Sequence, residues 1–148
     1  LSKEAEEGGL PGEIARSLFE MVALPVPTVC VLLGQGTGGG AIALMPADRV
    51  ISAQHSWLSP LPPEGASAIL YRTSERAPEM AELQRVRALD LFADGIIDRI
   101  VPEYPDAAEE PAAFCRRMGQ AIAHELVELS AMTTSDRLEA RRARFRAL

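Results

Sequence analysis

Apolar positions fall in two rhythms along this chain. Ile14, Leu18, Met21 and Val22 recur at helical spacing, so residues 10–24 predict a helix with one buried face. Pro11 stands at its start, where a missing N–H costs least, and Pro25 and Pro27 end it. The rhythm then changes. Thr28-Val29-Cys30-Val31-Leu32-Leu33 is a continuous β-branched and aliphatic run bounded by proline and glycine. Such a run predicts a strand buried on both faces of a mainly parallel sheet. Residues 41–45 are helix-compatible until Pro46 stops them, residues 49–53 predict a second strand, and residues 56–59 a short third.

Pro60, Pro62 and Pro63 force an extended segment, and a helix starts at Glu64 or Gly65 and runs through Tyr71. Residues 78–86 and 88–93 predict two further helices, the second closed by Gly95, and residues 96–101 a strand. The remainder is helical. Phe114, Met118, Ile122, Leu126 and Leu129 form one apolar stripe, read as packing, and Thr134 or Ser135 caps an arginine-rich last helix. Residues 1–9 are polar and acidic and predict a loop. No internal repeat or low-complexity segment is evident.

The chain has 148 residues, 47% apolar and 24% charged, the balance of a globular α/β domain with one core. No apolar run approaches the roughly 18 residues a membrane span needs. Leu1 in place of a start methionine points to a processed product or a fragment. Cys30 and Cys115 make neither a disulfide framework nor a metal site, so a cytoplasmic setting is expected and no metal. A net charge of −6 argues against general nucleic-acid binding. Residues 136–148 nevertheless carry five arginines against Asp136 and Glu139. Either they hold an anion such as a nucleotide phosphate, or they form a solvated helix end that complements its dipole or an acidic neighbour.

Gly34-Gln35-Gly36-Thr37-Gly38-Gly39-Gly40 holds five glycines in seven residues, between a strand and a helix. Glycine weakens regular structure, so such density needs a cause: positive φ angles, or close approach of a ligand to bare backbone. Backbone N–H groups at a helix start favour an anion or oxyanion. Gly34, Gly36 and Gly39 match G-x-G-x-x-G, but Pro46 truncates the helix, and Gln54 and His55 stand where a ribose-binding acid belongs. No Lys-Ser/Thr follows the last glycine, as a phosphate-binding loop requires. An oxyanion site for acyl or carboxyl chemistry is left, beside the alternative of a tightly packed helix that binds nothing.

The segment from Gly34 to Ala41, then Ala47-Asp48-Arg49-Val50, then Pro63-Glu64-Gly65-Ala66-Ser67-Ala68-Ile69-Leu70 resemble the carboxyltransferase α part of bacterial acetyl-CoA carboxylase. The resemblance runs on through Ala77-Pro78 and Gly95-Ile96-Ile97-Asp98-Arg99-Ile100-Val101-Pro102-Glu103, and extends to actinobacterial single-chain β/α and acyl-CoA carboxylase β-type chains. Thr37 and Gly38 replace the family's middle Gly-Ser, and Pro62 its serine. The family implies a crotonase-like (ClpP/crotonase) fold of repeated β-β-α units, incomplete here at the N-terminus and followed by C-terminal helices. Residues 1–103 would be a partial crotonase-like carboxyltransferase domain, and 104–148 the helical segment of the same domain.

By the same resemblance the activity is carboxyl transfer from carboxybiotin, held on a separate carrier domain, to an acyl-CoA. Acetyl-CoA would give malonyl-CoA for fatty acid biosynthesis. Gly39 and Gly40 match the glycine pair that stabilises the ureido oxygen of biotin, while Gly36, Thr37, Gly38, Glu64 and Gly65 would border the bound cofactor. The implied partners are a carboxyltransferase β half, a biotin carrier protein and biotin carboxylase, in a homo- or hetero-oligomer, with the chain inactive without its partner half.

Plainer roles stand beside these. Glu64 suits a helix start as a cap, His55 an ordinary turn rather than a general base, Trp57 the core or a subunit interface, and His124 the solvent. Two rival functions remain: a crotonase-type hydratase, isomerase or decarboxylase, which needs an acid/base pair near the glycines, and a non-catalytic assembly half.

Overall fold

The computed structural model describes residues 3–147. Its first helix, α1 (Lys3–Glu7), lies where a loop is expected. A polar composition does not exclude helix, and Lys3 pairs with Glu7 one turn on at 3.5 Å. Leu1 and Ser2 of that expected loop lie outside the described residues. Gly9, in the left-handed region at φ 94°, separates α1 from α2 (Leu10–Ala23), which has Pro11 in its first turn as expected.

The centre of the molecule is one unit built twice. The first runs β1 (Val29–Leu32), β2 (Gln35–Thr37) and α3 (Gly38–Ile42); the second runs β3 (Arg49–Ala53), β4 (Trp57–Ser59) and α4 (Pro63–Tyr71). β1 lies parallel to β3 with Val29 opposite Arg49, and β2 parallel to β4 with Gln35 opposite Trp57. The repeat is therefore structural, with no matching repeat of residues. Ser56 fastens the two bends together: its Oγ donates to the Leu32 carbonyl at 3.0 Å and accepts the Gly34 N–H at 2.7 Å.

Helices α5 (Ala77–Leu83) and α6 (Ala88–Ala93) then lead to β5 (Arg99–Val101), which pairs with β3 and gives the sheet order β1-β3-β5. β5 is shorter than expected. Asp98 takes over the ladder, its N–H donating to the Val50 carbonyl and its carboxylate accepting the Val50 N–H at 2.6 Å. The helix expected over 78–86 also stops early, because Arg85 turns to φ 54° and Val86 accepts from the Leu58 N–H.

Side chains alternate across a strand, so β3 feeds two cores. Val50 joins Leu32, Leu58, Leu91 and Ile97 on one face, while Ile51 and Ala53 meet Phe114, Met118 and Ala121 on the other. This central strand is the one buried on both sides. β1 is not: among the described residues no strand pairs with its far edge, and only Leu32 of its four residues is fully buried.

The second face is covered by α7 (Pro111–Ala131), followed by α8 (Thr134–Ala147). The buried stripe of α7 is Phe114, Met118, Ala121, Glu125 and Leu129, so Leu126 of the expected stripe is 37% exposed. Glu125 takes the inward place because it pairs with Arg99 at 2.7 Å and with Arg49 at 3.3 Å. Ion pairing to two partly exposed arginines has overridden apolar periodicity.

Candidate functional site

The glycine segment resolves into a strand and a helix rather than a loop. Gly36 is buried in β2, and a Cβ there would stand 2.9 Å from methyl groups of both Leu32 and Leu58. Its glycine is fixed by packing. Gly38, at φ 68°, makes the sharp step from β2 directly into α3. The helix thus starts within the glycines, ahead of the expected residues 41–45.

Gly39 and Gly40 then divide. A Cβ on Gly39 would meet Cδ1 of Ile14 at 2.7 Å, so this glycine lets α3 lie close against α2. Gly40 is exposed, has no atom within 4 Å of a Cβ position, and keeps an ordinary φ. Both residues occupy helix-start positions whose N–H groups have no acceptor one turn back. Only Gly40 has open space where a side chain would be.

Thr37 faces Ser59 across the β2–β4 ladder, so α3 and α4 leave it from the same end. Glu64, exposed in the first turn of α4, lines a cavity of about 640 Å³ together with His55, Trp57, Val86 and Leu89. Gly34 to Gly40 are not among its walls. A Cβ on Gly65 would stand 3.4 Å from Cδ1 of Leu61, an ordinary contact distance. Trp57 is half-buried, one wall of this cavity rather than a core residue.

His55 sits in the bend between β3 and β4, as expected of a turn histidine. Its backbone N–H donates to Glu103 Oε2 at 2.7 Å, and its Nδ1 lies 3.5 Å from the same oxygen. Glu103 also accepts the Ala107 N–H at 3.2 Å, so this buried acid clips the chain after β5 to the β3–β4 bend. Ligand atoms of His55, Glu103 and Asp106 come within 4.8 Å of one another, but Glu103 already serves these backbone donors. His124 is exposed on α7.

One constellation escaped the sequence reading. Asp48, 4% exposed, precedes β3 and accepts both the N–H and the Oγ1–H of Thr28, at 2.8 and 2.9 Å. Arg141 of α8 donates to both its oxygens, at 2.8 and 2.7 Å, and caps the end of α2 through the Met21 and Leu24 carbonyls. Burial by itself would raise the Asp48 pKa. The hydrogen bonds from Arg141 and Thr28 outweigh it and hold the carboxyl below the usual aspartate value. The arginine-rich helix is therefore no solvated end: Arg137 and Arg141 are buried. The available signal was the spacing of Arg137, Arg141 and Arg144, which puts them on one helical face.

Comparison with known proteins agrees with this architecture. Residues 2–148 match the family described as acetyl co-enzyme A carboxylase carboxyltransferase-like, and the chain belongs to that family. It is 53% identical over 148 residues to a probable biotin-dependent acyl-coenzyme A carboxylase beta3 subunit of Mycobacterium tuberculosis, covering all of this chain and 30% of the relative. It is 44% identical over 146 residues to an acetyl-coenzyme A carboxylase carboxyl transferase subunit alpha of Deinococcus radiodurans, covering 98% of this chain and 46% of that one. The chain thus spans less than half the length of either relative. Among solved structures, transcarboxylase 12S superposes with a TM-score of 0.67 at 22% identity, over 88% of this chain and 25% of that one. A Pseudomonas malonate decarboxylase hetero-tetramer gives 0.73 at 16%, over 95% and 56%. At such identities the likeness is one of fold, and that fold is crotonase-like.

Proposed function

We propose that this chain supplies the biotin-facing half of the carboxyltransferase site in a biotin-dependent acyl-CoA carboxylase. The family match over residues 2–148 carries this reading. Carboxybiotin brings an activated carboxyl group when bound. The fit to this chain is the bare face of Gly40, where nothing stands within 4 Å of a Cβ position. There the N–H groups of Gly39 and Gly40 donate to an oxygen that gains negative charge as the carboxyl group departs, each donor contributing about 3 kcal/mol at the transition state. Gly38 sets the helix direction, and Gly36 lets β2 lie flat behind it. Thr37 is exposed beside them, and Glu64 and Gly65 border the ligand space from α4.

A complementary β half completes the site around the acyl-CoA, with acetyl-CoA giving malonyl-CoA for fatty acid biosynthesis. A biotin carrier protein and biotin carboxylase supply the carboxyl group, and the assembly is an oligomer in the cytoplasm. Among the described residues no helix is long and apolar enough to cross a membrane.

Gly40→Val in the assembled enzyme tests the reading. Carboxyl transfer should fall at least about a hundredfold while the assembly and its melting temperature are kept. Unchanged turnover overturns it. A second reading draws on Glu64 and His55, which line one cavity: a crotonase-type hydratase or isomerase would use them as acid and base, though away from Gly34 to Gly40, which do not line it.

A further inference from the structure

The inward face of α8 does more than hold the helix down. Arg137, Arg141 and Arg144, joined by Arg49 of β3, line a cavity of about 240 Å³ between α8, the end of α7 and the start of β3. Four guanidinium groups there stand against two acids, Asp48 and Asp98. Glu125, outside the lining, is shared between Arg49 and Arg99.

The hydrogen bonds locate the deficit. Arg141 is committed to Asp48 and to carbonyls of the α2 end. Arg137 donates through its terminal nitrogens to the carbonyls of Pro25 and Leu129. Its Nε–H is buried and has no acceptor, with Asp48 Oδ2, at 4.0 Å, beyond reach. The Arg137 side chain is only 5% exposed, so bulk water does not solvate that donor. A buried charged donor left without an acceptor is costly, and native structures seldom keep one.

We infer that this cavity binds a small oxyanion, which takes the Arg137 Nε–H and neutralises the surplus charge of the arginine face. The volume lies below the roughly 300 Å³ at which pockets for drug-sized ligands begin, so a phosphate, hydrogencarbonate or carboxylate group fits and a nucleotide does not. The site is separate from the glycine segment, none of whose residues lines it.

Thermal unfolding of the full chain at fixed ionic strength tests the inference, with chloride exchanged for phosphate, hydrogencarbonate or acetate. A saturable rise in Tm with at least one oxyanion, above that in chloride, is expected. Phosphate alone acting identifies phosphate or its esters, and hydrogencarbonate or acetate acting identifies a carboxylate-like ligand. Arg137→Lys keeps the charge but loses the fixed Nε–H and the fork that orients it, so half-saturation should move up about tenfold or more. Should that variant not fold, Arg49→Gln, on the more open wall, should weaken binding several-fold, with exposed Arg116→Gln unchanged as a control. A Tm equal in chloride and in all three oxyanions means a water-filled cavity and overturns the inference. So does native half-saturation in both Arg137→Lys and Arg49→Gln.

Discussion

The two strand–strand–helix units follow the same path and part company where the helix begins. In the first, α3 starts on the residue after β2, and its opening residues are Gly38, Gly39 and Gly40. In the second, Pro60 to Pro62 intervene, and α4 opens with Pro63 and Glu64. Proline has no N–H to offer, and a carboxylate in the first turn already complements the positive helix end. One unit opens its helix on three glycine N–H groups, and the other on a proline and a carboxylate. A backbone repeated twice can thus begin its two helices with different electrostatics, decided by two or three residues.

The comparison breaks first at Asp48, which ties the units together by holding Thr28 before β1 while standing before β3 itself. Asp48→Ala leaves Arg141 buried with no counter-charge, and urea unfolding should show a loss of about 3–5 kcal/mol. A pH dependence accompanies it. The Asp48 pKa is lowered on folding, so its contribution is present above the ordinary aspartate value near 4 and is lost as pH falls below that. Stability measured from pH 5 to pH 2 should therefore decline less steeply in Asp48→Asn than in the native chain. Parallel curves would show that Arg141 does not hold the carboxylate.

Gly40→Val, with its hundredfold loss of transfer, comes next, and Gly39→Ala sharpens it. At Gly39 the added methyl meets the Cδ1 end of half-buried Ile14, which can shift, so the expected effect is on the fold and small: at most about 1 kcal/mol from overpacking. Ile14→Val removes the Cδ1 atom that clashes and should restore most of that loss. If Gly39→Ala left stability untouched, the division of labour between the two glycines would be wrong.

The glycine cluster was legible in sequence because glycine at that density conflicts with both strand and helix. The strand over 49–53 and the helix over 88–93 were legible because their periodicity and punctuation are local. What escaped depends on distant partners. Asp48 and Arg141 are 93 residues apart, and nothing near either shows that the other will be buried against it. Glu125 lies off the expected apolar stripe and has a reason to be buried only once Arg49 and Arg99 are set opposite, and the packing against Ile14 that adds to the reasons for glycine at residue 39 is equally invisible. The family resemblance had singled out the block around Asp48 without saying what that aspartate meets.

Glu64 gives the smallest expected effect and separates the two readings of the second unit. As the acid that complements its own helix start, it contributes a few tenths to about 1 kcal/mol, little of it in the transition state. Glu64→Gln should therefore lower stability slightly and change carboxyl transfer by less than about threefold, with KM moving more than kcat. A general acid or base would behave differently: its loss would cost about a hundredfold or more in kcat and remove one limb of the pH–rate profile. His55→Gln, on the same cavity wall, should then show a matching deficit. Only that paired loss would favour the cavity beside α4 over the glycines of α3 that we propose as the site.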